Sequence, residues 1–366
     1  MKHLLPLLVL ILLPAPADAG THAGASITYS SEDNVFLSPT PEEDEVVSSS
    51  LWLDRSTKDG ALSTMMYYNG SLVSLSNHDE NNYQLHVGGA TLSHALPRKG
   101  WVQCSLAGEF RIDENSGAMY GYGEYRAAID SKVWLDREMY LLSGYGARLT
   151  GYEDLGAWDN VEHEIYAKLQ CMPVDTATLT IATAAGLRQY DSAIDTLDPA
   201  TSGTLATTRE TGQWVNSLTL STPVIDQKTG LRTFVLSRTN FGDRAASITG
   251  LDEEPNALNP LFDDRYSYES LEFGCMLSRM LPFSITGRIG YEHAVKDYTE
   301  VVTGGVARHE LLDNLWVKLE KSLPLQPGGK VHMNIYAQCQ KLWNDSNIDD
   351  YGYSALKTEL GAEVTF

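Results

Sequence analysis

The C-terminal stretch Leu356-Lys357-Thr358-Glu359-Leu360-Gly361-Ala362-Glu363-Val364-Thr365-Phe366 sorts its side chains by parity. Leu356, Leu360, Ala362, Val364 and Phe366 fall on even positions, and Lys357, Glu359, Gly361, Glu363 and Thr365 on odd ones. Alternate residues of an extended chain point to opposite sides, so one face of this strand is apolar and the other polar. The preceding run repeats the pattern, with Val331, Met333, Ile335, Ala337 and Cys339 set against His332, Asn334, Tyr336, Gln338 and Gln340. So do Ile165, Ala167, Leu169 and Cys171 against Glu164, Tyr166, Lys168 and Gln170. From residue 61 onward period two replaces any helical period.

The connections between these runs alternate in length. Pro97-Arg98-Lys99-Gly100, Pro173-Val174-Asp175, Gln227-Lys228-Thr229-Gly230, Pro282 and the Pro-Gly-Gly stretch at Pro327 are tight turns. Longer acidic loops lie at 76–82, 114–118, 153–160, 191–210, 244–265, 300–306 and 345–350. An up-and-down antiparallel transmembrane barrel has this asymmetry, whereas a soluble sandwich or propeller does not require it. Counting runs gives fourteen strands, the first at 61–76 and the last at 351–366, with the even number that such barrels need.

Composition narrows the class further. The 366 residues carry 48 Asp and Glu against 27 Lys and Arg, a formal charge of -21. That balance excludes a nucleic-acid binder, which needs a basic face. Four cysteines without a CxxC pair exclude a disulfide scaffold and a zinc or haem motif. Cys104, Cys171, Cys275 and Cys339 all fall on apolar strand faces, where a thiol acts as a small hydrophobe. No mature segment reaches the 18 apolar residues of a membrane-spanning helix.

Met1-Lys2-His3, the apolar run Leu4 to Leu13 and Ala17-Asp18-Ala19 predict a signal peptide over 1–19. Residues 20–60 contain Pro39-Thr40-Pro41, Glu42-Glu43-Asp44-Glu45 and Ser48-Ser49-Ser50. This acidic composition predicts an irregular periplasmic lead, or a plug folded into the lumen, ahead of a barrel over 61–366.

Tight turns alternating with long loops, an export signal and the terminal strand resemble Gram-negative outer-membrane β-barrel proteins. The closing stretch Asn344-Asp345-Ser346-Asn347 and Tyr351-Gly352-Tyr353 is similar to the last hairpin of many members. The resemblance implies an outer-membrane location against lipid and lipopolysaccharide. It also implies that Leu360, Ala362, Val364 and Phe366 form the signal read by the barrel assembly machinery.

Motifs for catalysis are absent: no GxSxG elbow, HExxH or phosphate-binding glycine loop occurs. No cofactor and no metal centre is expected. His78, His86 and His94 are eight residues apart, about 26 Å along a strand, too far to share an ion. Asp345, Asn347 and Asp349 imitate a calcium loop, but Asp350 and Leu356 replace its turn glycine and bidentate glutamate.

The polar parity instead collects charge. Glu109, Arg111, Glu124, Arg126, Arg148, Glu164, Lys168, Arg188, Arg238, Glu272, Arg288, Glu292, Lys318 and Glu320 are the pore-lining candidates. Such charges either pair into wall-to-wall networks or line an aqueous path. Because diameter grows with strand number, the expected function is passive diffusion of small hydrophilic solutes. A non-conducting structural or surface-binding barrel is the alternative, and an outer-membrane enzyme a third.

Overall fold

The computed structural model describes residues 20–366 except 115–120, 154–155, 157–158, 198–203, 242–267, 304–305 and 327–330, with backbone alone at 191–197, 204–209 and 299–303. The predicted signal peptide, the acidic stretch 252–264 and the turn at Pro327 lie outside the described residues.

Sixteen strands form one closed antiparallel barrel. The first eight are β1 (Gly20–Glu32), β2 (Asp44–Asp59), β3 (Leu62–Leu75), β4 (Tyr83–Ala95), β5 (Trp101–Asp113), β6 (Tyr122–Asp136), β7 (Met139–Tyr152) and β8 (Asn160–Val174). The second eight are β9 (Ala177–Leu197), β10 (Thr204–Pro223), β11 (Thr229–Phe241), β12 (Glu269–Leu281), β13 (Ile285–Thr303), β14 (Val306–Pro324), β15 (His332–Ser346) and β16 (Tyr353–Thr365). Each strand pairs with its neighbour in sequence, and β1 closes the ring on β16 from Gly24↔Thr365 to Glu32↔Lys357. Closure leaves no unpaired edge, the condition for a sheet to cross hydrocarbon.

The pattern of burial is inverted relative to a soluble protein. On β6 the outward Tyr125, Ile129, Val133 and Leu135 are exposed, while the inward Glu124 is 2% exposed. Leu106 and Ile165, at 65% and 63%, are bare on the outside of β5 and β8. An apolar outer wall around a charged interior is stable only where the surroundings are apolar.

The strand count corrects two expectations. Residues 20–60 are neither a lead nor a plug: they supply β1 and β2. On β1, Ala23, Ala25, Ile27 and Tyr29 point outward and His22, Gly24, Ser26 and Thr28 inward, paired residue for residue with β2. Small side chains mute this alternation, so composition masks it. The acidic run has a local structural use: Asp44 Oδ1 accepts backbone N–H bonds from Glu45, Ser76 and Asn77 at 2.7, 2.8 and 2.9 Å. It thereby joins the start of β2 to the loop after β3. The barrel is thus sixteen strands from residue 20 rather than fourteen from residue 61. The expected loop at 191–210 is also shorter, because β9 and β10 extend to Leu197 and from Thr204.

Both chain ends of the barrel lie on the side of the short connections, called here the turn end. Pro97, Pro173, Pro223, Pro282 and Pro324 sit at or beside these turns, where a residue without an N–H ends strand pairing at no cost. Gly60 takes φ +58° between β2 and β3, a conformation a side chain disfavours.

Candidate pore and its charged lining

Register fixes the interior. Ala107↔Arg126, Arg126↔Arg148, Arg148↔Glu162 and Glu162↔Arg188 carry one face across β5 to β9. All fourteen charged positions singled out from the sequence lie on the inward parity of their strands.

Near the loop end these charges join a chain of alternating sign. Tyr122 donates its hydroxyl to Glu109 Oε1 at 2.5 Å, and Arg126 Nη2 donates to Glu109 Oε2 at 3.1 Å. Arg126 also bonds Glu124, from which Arg148 Nε stands 3.6 Å. Arg148 Nη1 lies 3.5 Å from Glu162 Oε2, and Arg188 Nε donates to Glu162 Oε1 at 2.6 Å. Arg111 Nε donates to Asp113 Oδ1 at 2.9 Å and stacks on Tyr83. Glu109 and Arg188, at the two ends of the chain, are buried at 4% and 7% exposure. Ions withdrawn from bulk water require such partners.

The opposite wall pairs cations with tyrosines. Arg238 and Lys296 flank the Tyr268 ring at 4.9 and 4.4 Å, and Arg308 stacks on Tyr298 and Tyr351 at 4.1 and 3.6 Å. Arg308 also donates Nε to Glu310 at 2.7 Å, and Arg238 faces Glu272 at 4.0 Å. A cation over an aromatic face gains about 0.5–2 kcal/mol, more when desolvated.

Toward the turn end the lining opens. Arg288 Nη1 donates to Glu320 Oε2 at 3.0 Å, Lys318 Nζ stands 3.8 Å from the same oxygen, and all three are only partly buried. Glu292 accepts from Asn314 Nδ2 at 3.2 Å. Neither Glu164 nor Lys168 makes an ion pair within 4 Å among the described residues.

Sequence reasoning missed Glu162, the acid that joins Arg148 to Arg188, along with Arg308, Glu310, Tyr268 and Tyr298. Glu162 shares the parity of Glu164 and Lys168 near the start of β8, so it was legible in the sequence. The pair Arg308 and Glu310 shares the parity of Lys318 and Glu320 and was legible in the same way.

The remaining candidates sit elsewhere. Cys104, Cys171, Cys275 and Cys339 are free thiols on the outer wall. His86 faces outward against Tyr68, whose hydroxyl lies 2.8 Å from its Nδ1. His78 is held in the loop before β4, and Asn347 bonds the backbone of Ala307 and His309. Leu360, Ala362 and Val364 lie on the outer face of β16, opposite Tyr29, Ile27 and Ala25, and the Phe366 N–H donates to the Ala23 carbonyl at 2.8 Å.

Several solved structures share this fold. OccAB3 of Acinetobacter baumannii has a TM-score of 0.57 at 9% identity, covering 96% of this chain and all of its own. OpdL of Pseudomonas aeruginosa gives 0.53 at 12%, covering 96% and 99%. The outer-membrane protein OpdK of the same organism gives 0.52 at 9%, covering 95% and 99%, and another structure shows OpdK with vanillate. No family model and no curated protein sequence matches the chain. The barrel has the fold of Gram-negative outer-membrane channels.

Proposed function

We propose that the chain is an outer-membrane pore for passive diffusion of small hydrophilic solutes, open at the turn end and narrowed by the charged chain near the loop end. One observation carries this reading: the inward face of a closed sixteen-strand wall is mostly polar, and most of its charged side chains pair with neighbours along the wall itself. The Glu109–Arg126–Glu124–Arg148–Glu162–Arg188 chain runs along adjacent strands rather than across the bore. A barrel of this strand number encloses more volume than such wall-hugging side chains fill, because only small eight-strand barrels are closed by side chains alone. The full-length structural neighbours agree with the reading in fold.

Fixed charges at a narrow point would screen solutes by size and sign without binding them tightly. The test is swelling of liposomes that contain the purified barrel. Rapid entry of small neutral and singly charged solutes, with slower entry as size rises, is expected. Liposomes no more permeable than protein-free ones would remove the diffusion reading and leave a structural barrel.

A further inference from the structure

On the wall formed by β13, β14 and β15, an indole is set among polar groups. Trp316 pairs in register with Gly290 on one side and Gln340 on the other. A methyl group at Gly290 would overlap the Trp316 ring. The glycine therefore lets the indole lie down across the neighbouring strand, with one face toward the lumen. The next row toward the turn end is Arg288, Lys318 and Gln338, and the next toward the loop end begins Glu292, Asn314. Trp316, Arg288, Lys318, Gln338, Asn314 and Gln340, with Met276 of β12, line a recess of about 390 Å³, at the small end of ligand pockets.

The polar groups of this recess are sorted. Glu320 already lies between Arg288 and Lys318, at 3.0 and 3.8 Å, where the carboxylate of an acidic solute would otherwise sit. Gln340 Nε2 donates to Asn314 Oδ1 at 2.9 Å, and Asn314 donates in turn to Glu292, so these amides are oriented. The Gln338 amide makes no hydrogen bond among the described residues. What the recess still offers is a flat indole face with the apolar Met276 side chain in the same lining, amide donors and acceptors, and cationic N–H groups whose charge is partly met.

From this arrangement we infer that the Trp316 recess is a subsite for a neutral cyclic polyol, a pyranose sugar, passing along the lumen. One side of a pyranose ring presents a patch of C–H groups, which the electron-rich face of an indole attracts. Its rim presents hydroxyls, each able to donate and accept, as amides require. An aliphatic ion would use the charges and leave the indole without a partner. A sugar uses both. The inference rests on the diffusion-pore reading and adds a solute class to it.

Saturation-transfer NMR on the full barrel in detergent micelles tests it, with D-glucose and maltose as probes and vanillate as the aromatic-acid comparison. Transfer is expected to the ring protons of both sugars. Trp316→Ala should abolish it and Trp316→Phe should keep it. Gly290→Ala, which lifts the ring without changing any polar group, should weaken binding about tenfold, the worth of one well-placed aromatic contact. A heat-dependent gel shift shows which variants still form the barrel. Sugar signals that persist in Trp316→Ala, absence of sugar signals in the wild type, or transfer to vanillate alone would each overturn the inference. Bilayer conductance measured on the same preparation separates the two readings. Conductance without sugar binding overturns the sugar site only, and sugar binding without conductance overturns the diffusion pore only.

Discussion

Lys357 Nζ lies 2.8 Å from Glu32 Oε1, an ion pair between the last strand of the barrel and the first. Lys357 also reaches Glu359 at 3.4 Å, so the loop end of the seam is tied on its inner face. Asp33 continues the tie, its N–H donating to the Leu356 carbonyl and its carboxylate accepting the Leu356 N–H. The segment that composition marks as an acidic lead is therefore the closing strand pair of the wall.

That register is open to direct trapping. Ala25 and Val364 face each other on the outer side of the seam. Antiparallel partners lie about 4.5–5.5 Å apart at Cα, within the range of a disulfide. In a background without the four native cysteines, Ala25→Cys with Val364→Cys should cross-link under mild oxidation and keep the denatured chain circular on a gel. Ala25→Cys with Glu363→Cys, whose side chains face opposite sides, should not. Equal cross-linking of the two pairs would contradict the closure.

The buried end of the charged chain should be costly to cut. Arg188→Ala strands Glu162 without its nearest cation, and removing one member of a buried pair costs about 3–5 kcal/mol. At the turn end, Arg279 and Asp226 are 3.9 Å apart with both side chains largely in solvent, so Arg279→Ala should cost at most about 1 kcal/mol. The temperature at which each variant loses its fast-migrating folded band on a gel reads the difference.

Much of this architecture was legible in parity alone. The outward rows of β16, β15 and β8 separate cleanly because Leu, Ile and Val alternate with charged or amide side chains. Every charge assigned inward from that separation lies on the inward parity. The first two strands were illegible for a physical reason. Ala23, Ala25, Ser26 and Thr28 differ too little in polarity to show a period, and Ser48-Ser49-Ser50 shows none. Their strand state is dictated by the pairing that β16 and β3 impose, which no local window contains. The candidate lining was only half readable. Sequence parity gives a face, but which acids meet which bases depends on cross-strand register, as Glu162 between Arg148 and Arg188 shows. The lumenal tyrosines gave no charge signal at all.

The four thiols test the outer face. Cys104 and Cys275 lie beside Leu106 and Leu277 on the lipid-facing parity. A membrane-impermeant charged maleimide should leave all four unmodified in intact cells and label them after denaturation. Replacing each by Ala or Val should leave assembly unchanged, since the position asks only for a small apolar group. A disulfide between any two would contradict the strand faces described above.

A histidine latch in the loops should make their stability depend on pH. His78 Nδ1 meets Asp44 Oδ2 at 2.8 Å and Nε2 meets Glu42 Oε2 at 2.7 Å, with Phe36 packed edge-on against the ring. The Asp44 hydrogen bond, aided by Glu42, raises the His78 pKa above its usual value. A raised value in the folded state means the charged latch is fully present below about pH 6.5, the value in the unfolded chain. It is lost as pH rises through the elevated value. Protease cleavage within residues 33–43 should therefore speed up on moving from pH 6 to mildly alkaline solution. The His78→Ala variant should be cleaved quickly at every pH in that range, and a wild type with no such dependence would show that the latch does not hold the loop.

The most direct test of a diffusion pore is single-channel recording of the purified barrel in a planar lipid bilayer. The account predicts stepwise, long-lived conductance that scales with salt and has weak ion preference, because the lining pairs nearly equal numbers of acids and bases. It further predicts that neutralising Arg126, Arg148 and Arg288 together shifts the reversal potential toward cations, since Glu109, Glu124, Glu162 and Glu320 then dominate the lumenal field. Folded protein that inserts into the bilayer and passes no current would contradict the account.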